Sequence, residues 1–287
     1  MKTMKNEKIL QEFKNSLIVD GIAEKTISNY GRTLHEFFYY LNKGAETIAE
    51  KDIKQYLSYL TIEKKNGAST RSNKISGLKT FFTWLLDNDY IIYNPMLKIK
   101  NPKMQKQNPV YLTETEAIKV LNVAKDNARD YAILMLMLTS GIRLEETSNL
   151  NIDDIREDTL YIISGKGNKD RQLHLAQSAK NAIDEYFKIR NSKENALFVS
   201  QKNNRMSVSA IQNVVKKYIA KAGLDVNKYS AHKLRHTAAT LTYKNNHDIL
   251  SLQKMLGHSD VSTTQRYAHL MEDSIKDAVN ANPLANL

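Results

Sequence analysis

Cysteine is missing from this chain of 287 residues. Its absence excludes a disulfide framework, a zinc site built on thiolates and a cysteine nucleophile. A chain without cysteine is compatible with a reducing cytoplasm. Any covalent catalysis must therefore use another nucleophile.

Long apolar runs are missing as well. The longest, Tyr131–Leu138, is far shorter than the roughly 18 to 20 apolar residues that a membrane span needs. The first eight residues are polar and lead into an amphipathic pattern, which is not typical of a signal peptide. We therefore expect no membrane partner and a cytoplasmic protein.

Basic residues, in contrast, are in excess. The chain carries 42 Lys and Arg against 31 Asp and Glu, a net charge of +11 with a pI of about 9.4. Such an excess favours a polyanionic partner, and nucleic acid is the first candidate.

The first 92 residues are predicted to form a domain of four helices, because apolar residues recur at helical spacing between the glycines at 21, 44 and 67. The opposite face of the second and fourth helices is polar and basic. We predict that it lies on DNA, with lysine and arginine on phosphates and asparagine or arginine on base edges. An ordinary solvated face is the alternative. The candidate DNA-binding residues here are Arg32, Arg71, Asn73, Lys74 and Lys79.

Residues 93–110 are predicted to be a basic linker. They contain three of the four prolines of the chain, four lysines and no acidic residue. Proline disfavours helix and stiffens an extended chain, so we expect Lys98 and Lys100 to follow a phosphate backbone. A solvated linker without a partner is the alternative.

Residues 111–287 are predicted to form a second domain of helices with a small antiparallel β-sheet. Thr113 and Glu116 have the spacing of a capping box, and a buried helix follows that should end at Gly141. Short β-type runs are expected at 152–157, 160–164 and 171–175, the last two joined by a hairpin tip rich in Gly, Asn and Asp.

Four short stretches of this domain carry residues suited to chemistry. They are Gly141-Ile-Arg143-Leu-Glu-Glu146, Gly165-Lys-Gly-Asn-Lys169-Asp-Arg171, His232-Lys-Leu-Arg235-His236, and Leu256-Gly-His258 followed nine residues later by Tyr267. The two histidines of the third stretch have the i, i+4 spacing of zinc ligands. However, the stretch lacks the glutamate of a His-Glu-x-x-His site, so we expect no metal.

Together these residues are typical of a phosphoryl-transfer site that uses no metal. Arg143 and Arg235 can bind the non-bridging oxygens of a phosphate in bidentate fashion. Lys169 can protonate the leaving 5′ oxygen as a general acid. His232 and His258 can accept the phenolic proton or donate hydrogen bonds to the phosphate.

Tyr267 is then the nucleophile of a covalent intermediate, although a phenol has an ordinary pKa of about 10. The neighbouring cations would stabilise the charge of the transition state. Glu146, one helical turn from Arg143, is expected to orient a neighbour rather than to attack.

These motifs, in this order, resemble those of the tyrosine recombinases of the phage integrase family, especially the Xer type. The resemblance covers nearly the whole chain and implies a mainly α fold with a small antiparallel sheet. It also implies a SAM-like, four-helix core-binding domain and an α+β catalytic domain.

The resemblance further implies how such an enzyme works. Double-stranded DNA would be cut and rejoined through a 3′-phosphotyrosyl intermediate and a Holliday junction, without metal or other cofactor. Four protomers would act together, as a homotetramer or with a paralogous recombinase, and the segment 272–287 would dock on a neighbouring protomer or on its own domain. The protein would be nucleoid-associated.

Several functions use this chemistry. Resolution of chromosome or plasmid dimers is the first interpretation, and the recombinase of a mobile element is the alternative. A DNA-binding protein that has lost its chemistry is disfavoured by the complete residue set. A type IB topoisomerase is disfavoured by the two-domain organisation.

Overall fold

A computed structural model of the chain describes residues 2–103, 110–163 and 170–257, with side chains from residue 6 onward. The chain divides into two compact units, residues 1–107 and 108–287. Within the described ranges, no helix has both the length and the apolar character needed to cross a membrane.

The regular secondary structure in the described part of the N-terminal unit is all helical. Its helices are α1 (Lys2–Val19), α2 (Glu24–Leu41), α3 (Glu50–Ile62) and α4 (Ala68–Asp87), with a 3₁₀ turn at Ala45–Thr47. Leu34 and Phe37 of α2 are fully buried, as are Tyr56 of α3 and Phe81 of α4. The apolar stripe that predicted each of these helices therefore faces one shared core.

Part of the predicted linker belongs to this unit. Met96 is 2% exposed and Ile99 is 5% exposed, and both pack into the core of the N-terminal helices. Burial of these two side chains attaches the residues just after α4 to the N-terminal unit. Lys98 and Lys100, on either side of Ile99, are exposed.

The C-terminal unit combines helices with one small sheet. Its helices are α5 (Glu114–Asn122), α6 (Ala128–Ser140), α7 (Leu144–Asn149), α8 (Gln177–Ile189), α9 (Val208–Lys221), α10 (Ala231–Asn246) and α11 (Ile249–Leu256). Its strands are β1 (Ile155–Arg156), β2 (Thr159–Ile162) and β3 (Arg171–His174). The mainly α fold with a small antiparallel sheet is confirmed.

The sheet has the order β1-β2-β3, and both pairings are antiparallel. Ile162 lies opposite Arg171 and Leu160 opposite Leu173. Along β3, Leu173 is buried, whereas Gln172 and His174 are exposed. The hairpin tip that joins β2 to β3 lies outside the described residues except for Asp170.

One predicted strand is shorter than expected. Residues 152–154 form a 3₁₀ turn, and only Ile155–Arg156 pair with β2. The Asp154 carboxylate accepts a hydrogen bond of 2.7 Å from the N–H of Asn151, which closes the turn. A local side-chain bond of this kind competes with strand formation.

Helix α6 lies in the centre of the C-terminal unit. All seven residues from Ala132 to Leu138 are buried, which explains an apolar run without clear periodicity. The helix ends at Gly141, which has a φ of +61° as a left-handed cap. This cap turns the chain towards α7 and the candidate site.

Candidate active site

Arg143 lies at the start of α7, immediately after the turn at Gly141. It is the N-cap residue of α7, and its side chain is 33% exposed. A Cβ at position 141 would lie 3.1 Å from Leu256 Cδ2, so glycine allows both the left-handed φ and the close approach of α11. The sequence Gly-Ile-Arg thus projects one arginine from a fixed turn.

Glu146 holds Arg143 in place. Its carboxylate accepts hydrogen bonds of 2.7 Å from the backbone N–H of Arg143 and of 2.7 Å from Arg143 Nη1. The first bond satisfies an amide at the start of α7, and the second orients the guanidinium. Glu146 thus contacts both the backbone and the guanidinium of Arg143.

Arg171 is the second cation on the same carboxylate. Its Nη1 and Nη2 donate to Glu146 Oε1 and Oε2, each at 2.8 Å, in a bidentate pair. The side chains of Arg171 and Glu146 are 8% and 9% exposed. Burial by itself would raise the pKa of Glu146. The hydrogen bonds from Arg171 and Arg143 and the charge of Arg171 outweigh burial and lower that pKa from 4.5 to about 2.

Arg235 lies on α10 and is 4% exposed. Its Nη1 donates to the carbonyl of Gly141 and its Nη2 to the carbonyl of Leu256, each at 2.7 Å. These carbonyls lie at the C-terminal ends of α6 and α11, where backbone acceptors lack helical partners. Arg235 thus joins the turn before Arg143 to the end of α11.

His232 and His236 lie one turn apart on α10. Their ring centroids are 4.6 Å apart and the rings meet edge to face at 82°. His232 is exposed, whereas His236 is 8% exposed. In the described part of the chain, no group of three or more His, Cys, Asp or Glu residues could hold a metal ion.

Three of the predicted residues lie outside the described ranges: Lys169, His258 and Tyr267. Two of them are close in sequence to described elements. Strand β3 begins two residues after Lys169, and α11 ends two residues before His258. The site that the structure brings together contains Arg143, Glu146, Arg171 and Arg235, with His232 one turn before Arg235.

The sequence predicted no role for Arg171, although this residue belongs to the hairpin motif. A signal was present in the pattern of β3. Leu173 and Leu175, two and four residues later, are 9% and 2% exposed. Since side chains two apart share a face of a strand, Arg171 lies on the buried face and needs a charged partner.

The N-terminal unit has a polar cleft of about 500 Å³ between α2 and α4. Its lining includes Arg32, Asn73 and Lys74 of the predicted DNA-binding residues. Lys74 is 15% exposed at its side chain and forms an ion pair with Glu36, which also accepts a hydrogen bond of 3.2 Å from Tyr56. Arg32 and Asn73 are exposed.

The other predicted DNA-binding residues do not line this cleft. Arg71 is half-buried and donates from Nη1 to Thr61 Oγ1 at 2.5 Å, and Lys79 is half-buried on α4. Lys98 and Lys100 lie beyond α4.

Two family models match the chain. The model described as phage integrase family matches residues 110–273, and the model described as phage integrase N-terminal SAM-like domain matches residues 9–92. The chain belongs to the phage integrase family. It is an Xer-like tyrosine recombinase, as its motifs predicted.

Curated relatives of this tyrosine recombinase match over almost its full length. Tyrosine recombinase XerC of Caldanaerobacter subterraneus subsp. tengcongensis is 39% identical over 316 residues, covering 99% of this chain and 89% of the relative. Tyrosine recombinase XerA of Pyrococcus horikoshii is 35% identical, covering 96% of this chain and 93% of the relative.

A solved structure is similar to this recombinase as well. The crystal structure of the XerH site-specific recombinase, bound to its palindromic difH substrate in a post-cleavage complex, has a TM-score of 0.75. The sequences are 25% identical, and the match covers 89% of this chain and 79% of XerH.

Gly257 of this recombinase provides a test of the fit around Arg171. It has a φ of +65°, and a Cβ there would lie 2.8 Å from Arg171 Cδ. Because the guanidinium is anchored at Glu146 and Met255, the arginine stem has little freedom to move aside. We expect Gly257→Ala to lower the free energy of unfolding by about 1 kcal/mol because of the left-handed backbone, and by at least about 1 kcal/mol more because of the collision with Arg171. Urea unfolding measures the total loss.

Gly223→Ala is the matched control. Gly223 has a φ of +73°, but a Cβ there would meet only Lys119 Nζ, at 3.8 Å. The free energy of unfolding of this variant should therefore fall only by the roughly 1 kcal/mol that the left-handed backbone costs. Equal losses of unfolding free energy in the two variants would show that Arg171 is not constrained by Gly257.

Proposed function

We propose that this site-specific recombinase cuts and rejoins double-stranded DNA with Tyr267 as nucleophile. The observation that carries the proposal is the convergence of Arg143 and Arg235 on the turn at Gly141, with Glu146 orienting Arg143. Two guanidinium groups held on one turn suit the non-bridging oxygens of a phosphodiester.

The proposed reaction conserves the energy of the phosphodiester bond. The Tyr267 oxygen attacks phosphorus, the bond from phosphorus to the 5′ oxygen breaks, and a 3′-phosphotyrosyl bond forms. Lys169 gives a proton to the leaving 5′ oxygen, and His232 or His258 accepts the phenolic proton. A 5′ hydroxyl of a second duplex reverses these steps and joins the exchanged strand through a Holliday junction.

Arg143 and Arg235 supply the charge that a metal ion supplies in other phosphoryl-transfer enzymes. Arg235 is preorganised because two backbone carbonyls fix its plane before substrate binds. Arg143, at 33% exposure, remains accessible to a phosphate. No metal or other cofactor enters the proposed reaction.

The covalent step is tested with Tyr267→Phe. On a nicked suicide duplex, the wild type should form a protein–DNA adduct that survives denaturing electrophoresis, and Tyr267→Phe should form none, since the variant lacks the attacking oxygen. Tyr243→Phe removes a phenol from α10 outside the proposed machinery and should leave the adduct unchanged. An adduct that persists in Tyr267→Phe would contradict the assignment.

For the biological role we propose resolution of chromosome dimers. Relatives named XerC and XerA, matched over nearly the whole chain, favour this role over the recombinase of a mobile element. The active assembly would be a tetramer on two DNA sites, formed by this chain alone or with a paralogue, in the cytoplasm at the nucleoid. For this assembly we propose the two-domain organisation predicted from the sequence, with the first domain extended to include the packed residues Met96 and Ile99.

The role is tested by mapping where the protein binds. Chromatin immunoprecipitation of the Tyr267→Phe protein should give one principal peak close to the replication terminus, because dimers are resolved there. Protection mapping of that fragment then defines the site. Occupancy confined to DNA flanking the gene would favour the mobile-element alternative.

The cleft of the N-terminal unit is proposed as a DNA-binding surface, with Arg32 and Asn73 at its exposed rim. Loss of one phosphate contact reduces counterion release. We therefore expect Arg32→Ala to lower the slope of log K against log salt by about 1. Lys8→Ala removes one exposed charge from α1 and should leave the slope unchanged. Equal slopes for Arg32→Ala and the wild type in a mobility-shift titration would remove Arg32 from the interface.

A further inference from the structure

Arg171 connects three parts of the C-terminal unit. It is the first residue of β3, its Nη1 and Nη2 bind the carboxylate of Glu146 on α7, and its Nε donates to the carbonyl of Met255 on α11 at 3.2 Å. Each guanidinium nitrogen has an acceptor, and the side chain is 8% exposed. The charge of Arg171 is therefore already paired with a carboxylate inside the protein.

The partners of Arg171 are the groups that place the proposed catalytic residues. Glu146 orients Arg143 through its backbone N–H and its guanidinium. The Met255 carbonyl lies in the last turn of α11, three residues before His258 in the chain. The next carbonyl, that of Leu256, is bound by Arg235. Two arginines thus hold consecutive carbonyls at the end of α11.

Stability alone does not account for this arrangement. A buried ion pair loses much of its Coulomb attraction to desolvation, and apolar residues of similar volume often stabilise a fold as well. What a buried, bidentate pair supplies is a fixed geometry. Lysine could bind Glu146 at one point but could not also reach the Met255 carbonyl in the same plane.

We propose that Arg171 is a positioning residue for DNA strand cleavage. It acts through Glu146 on Arg143 and through the Met255 carbonyl on the segment that leads to His258. This role rests on the proposed function, and it places Arg171 outside the set that contacts the phosphate. Replacement of Arg171 should therefore lower the rate of the chemical step more than it weakens DNA binding.

The test compares rate with affinity on a nicked suicide duplex that carries the protected site. Arg171→Gln loses hydrogen bonds to a charged group. Its single-turnover rate of adduct formation should therefore fall by about 10- to 100-fold. Arg171→Lys keeps one bond to Glu146 and should lose about 10-fold or less. For both variants the Kd for DNA, from mobility shift, should stay within about threefold of the wild type.

Arg190→Lys is the control for a purely structural arginine. Arg190 donates to the carbonyls of Ser192 and Ala196, at 2.7 and 2.8 Å, in the loop after α8. We expect both Arg190→Lys and Arg171→Lys to lower Tm, but Arg190→Lys should leave the cleavage rate within about twofold of the wild type.

A double-mutant cycle separates action through Glu146 from an independent effect. If Arg171 acts through Glu146, the rate loss of Arg171→Gln combined with Glu146→Gln should be clearly smaller than the product of the single losses. Fully multiplicative losses, or a Kd that rises in step with the fall in rate, would overturn the positioning role.

The wild type distinguishes the two proposals. A Tyr267-dependent adduct in the wild type, with an unchanged rate in Arg171→Gln, would overturn the role of Arg171 and leave the proposed function standing. Absence of any such adduct from the wild type would overturn both. A folded Arg171→Lys protein that binds DNA normally and cleaves more slowly, by about 10-fold or less, is the expected result.

Discussion

The Glu146 carboxylate, removed from water between two arginines, is the interaction on which the site depends. An isolated buried carboxylate is costly, and the two cations offset that cost for Glu146. Arg143 comes from the turn after α6, whereas Arg171 comes from the strand after the hairpin. The electrostatic requirement of one side chain thus forces two distant segments to meet.

Arg235 extends this arrangement to α11. Its guanidinium binds carbonyls at the ends of α6 and α11, and Arg171 binds the carbonyl just before, at Met255. The C-terminal end of a helix attracts cations because its last carbonyls lack partners and its dipole is negative there. Two helix ends and one carboxylate therefore organise three arginines.

Local signals predicted much of this from the sequence. The capping box of Thr113 and Glu116 forms as expected, and Gly141 ends α6. Arg143 and Glu146 are three residues apart, so their contact follows from helix geometry. The motifs also indicated the family, and the family models confirm it.

Contacts between distant residues were not predictable in the same way. The bonds from Arg171 to Met255 and from Arg235 to Gly141 join positions 84 and 94 residues apart. The pairing of Lys74 with Glu36 likewise compensates a cation that was a candidate for DNA binding. The acceptors of Arg235 also carry an evolutionary consequence. They are backbone carbonyls, which every amino acid possesses, so side-chain substitutions at positions 141 and 256 can weaken this attachment only by moving the main chain.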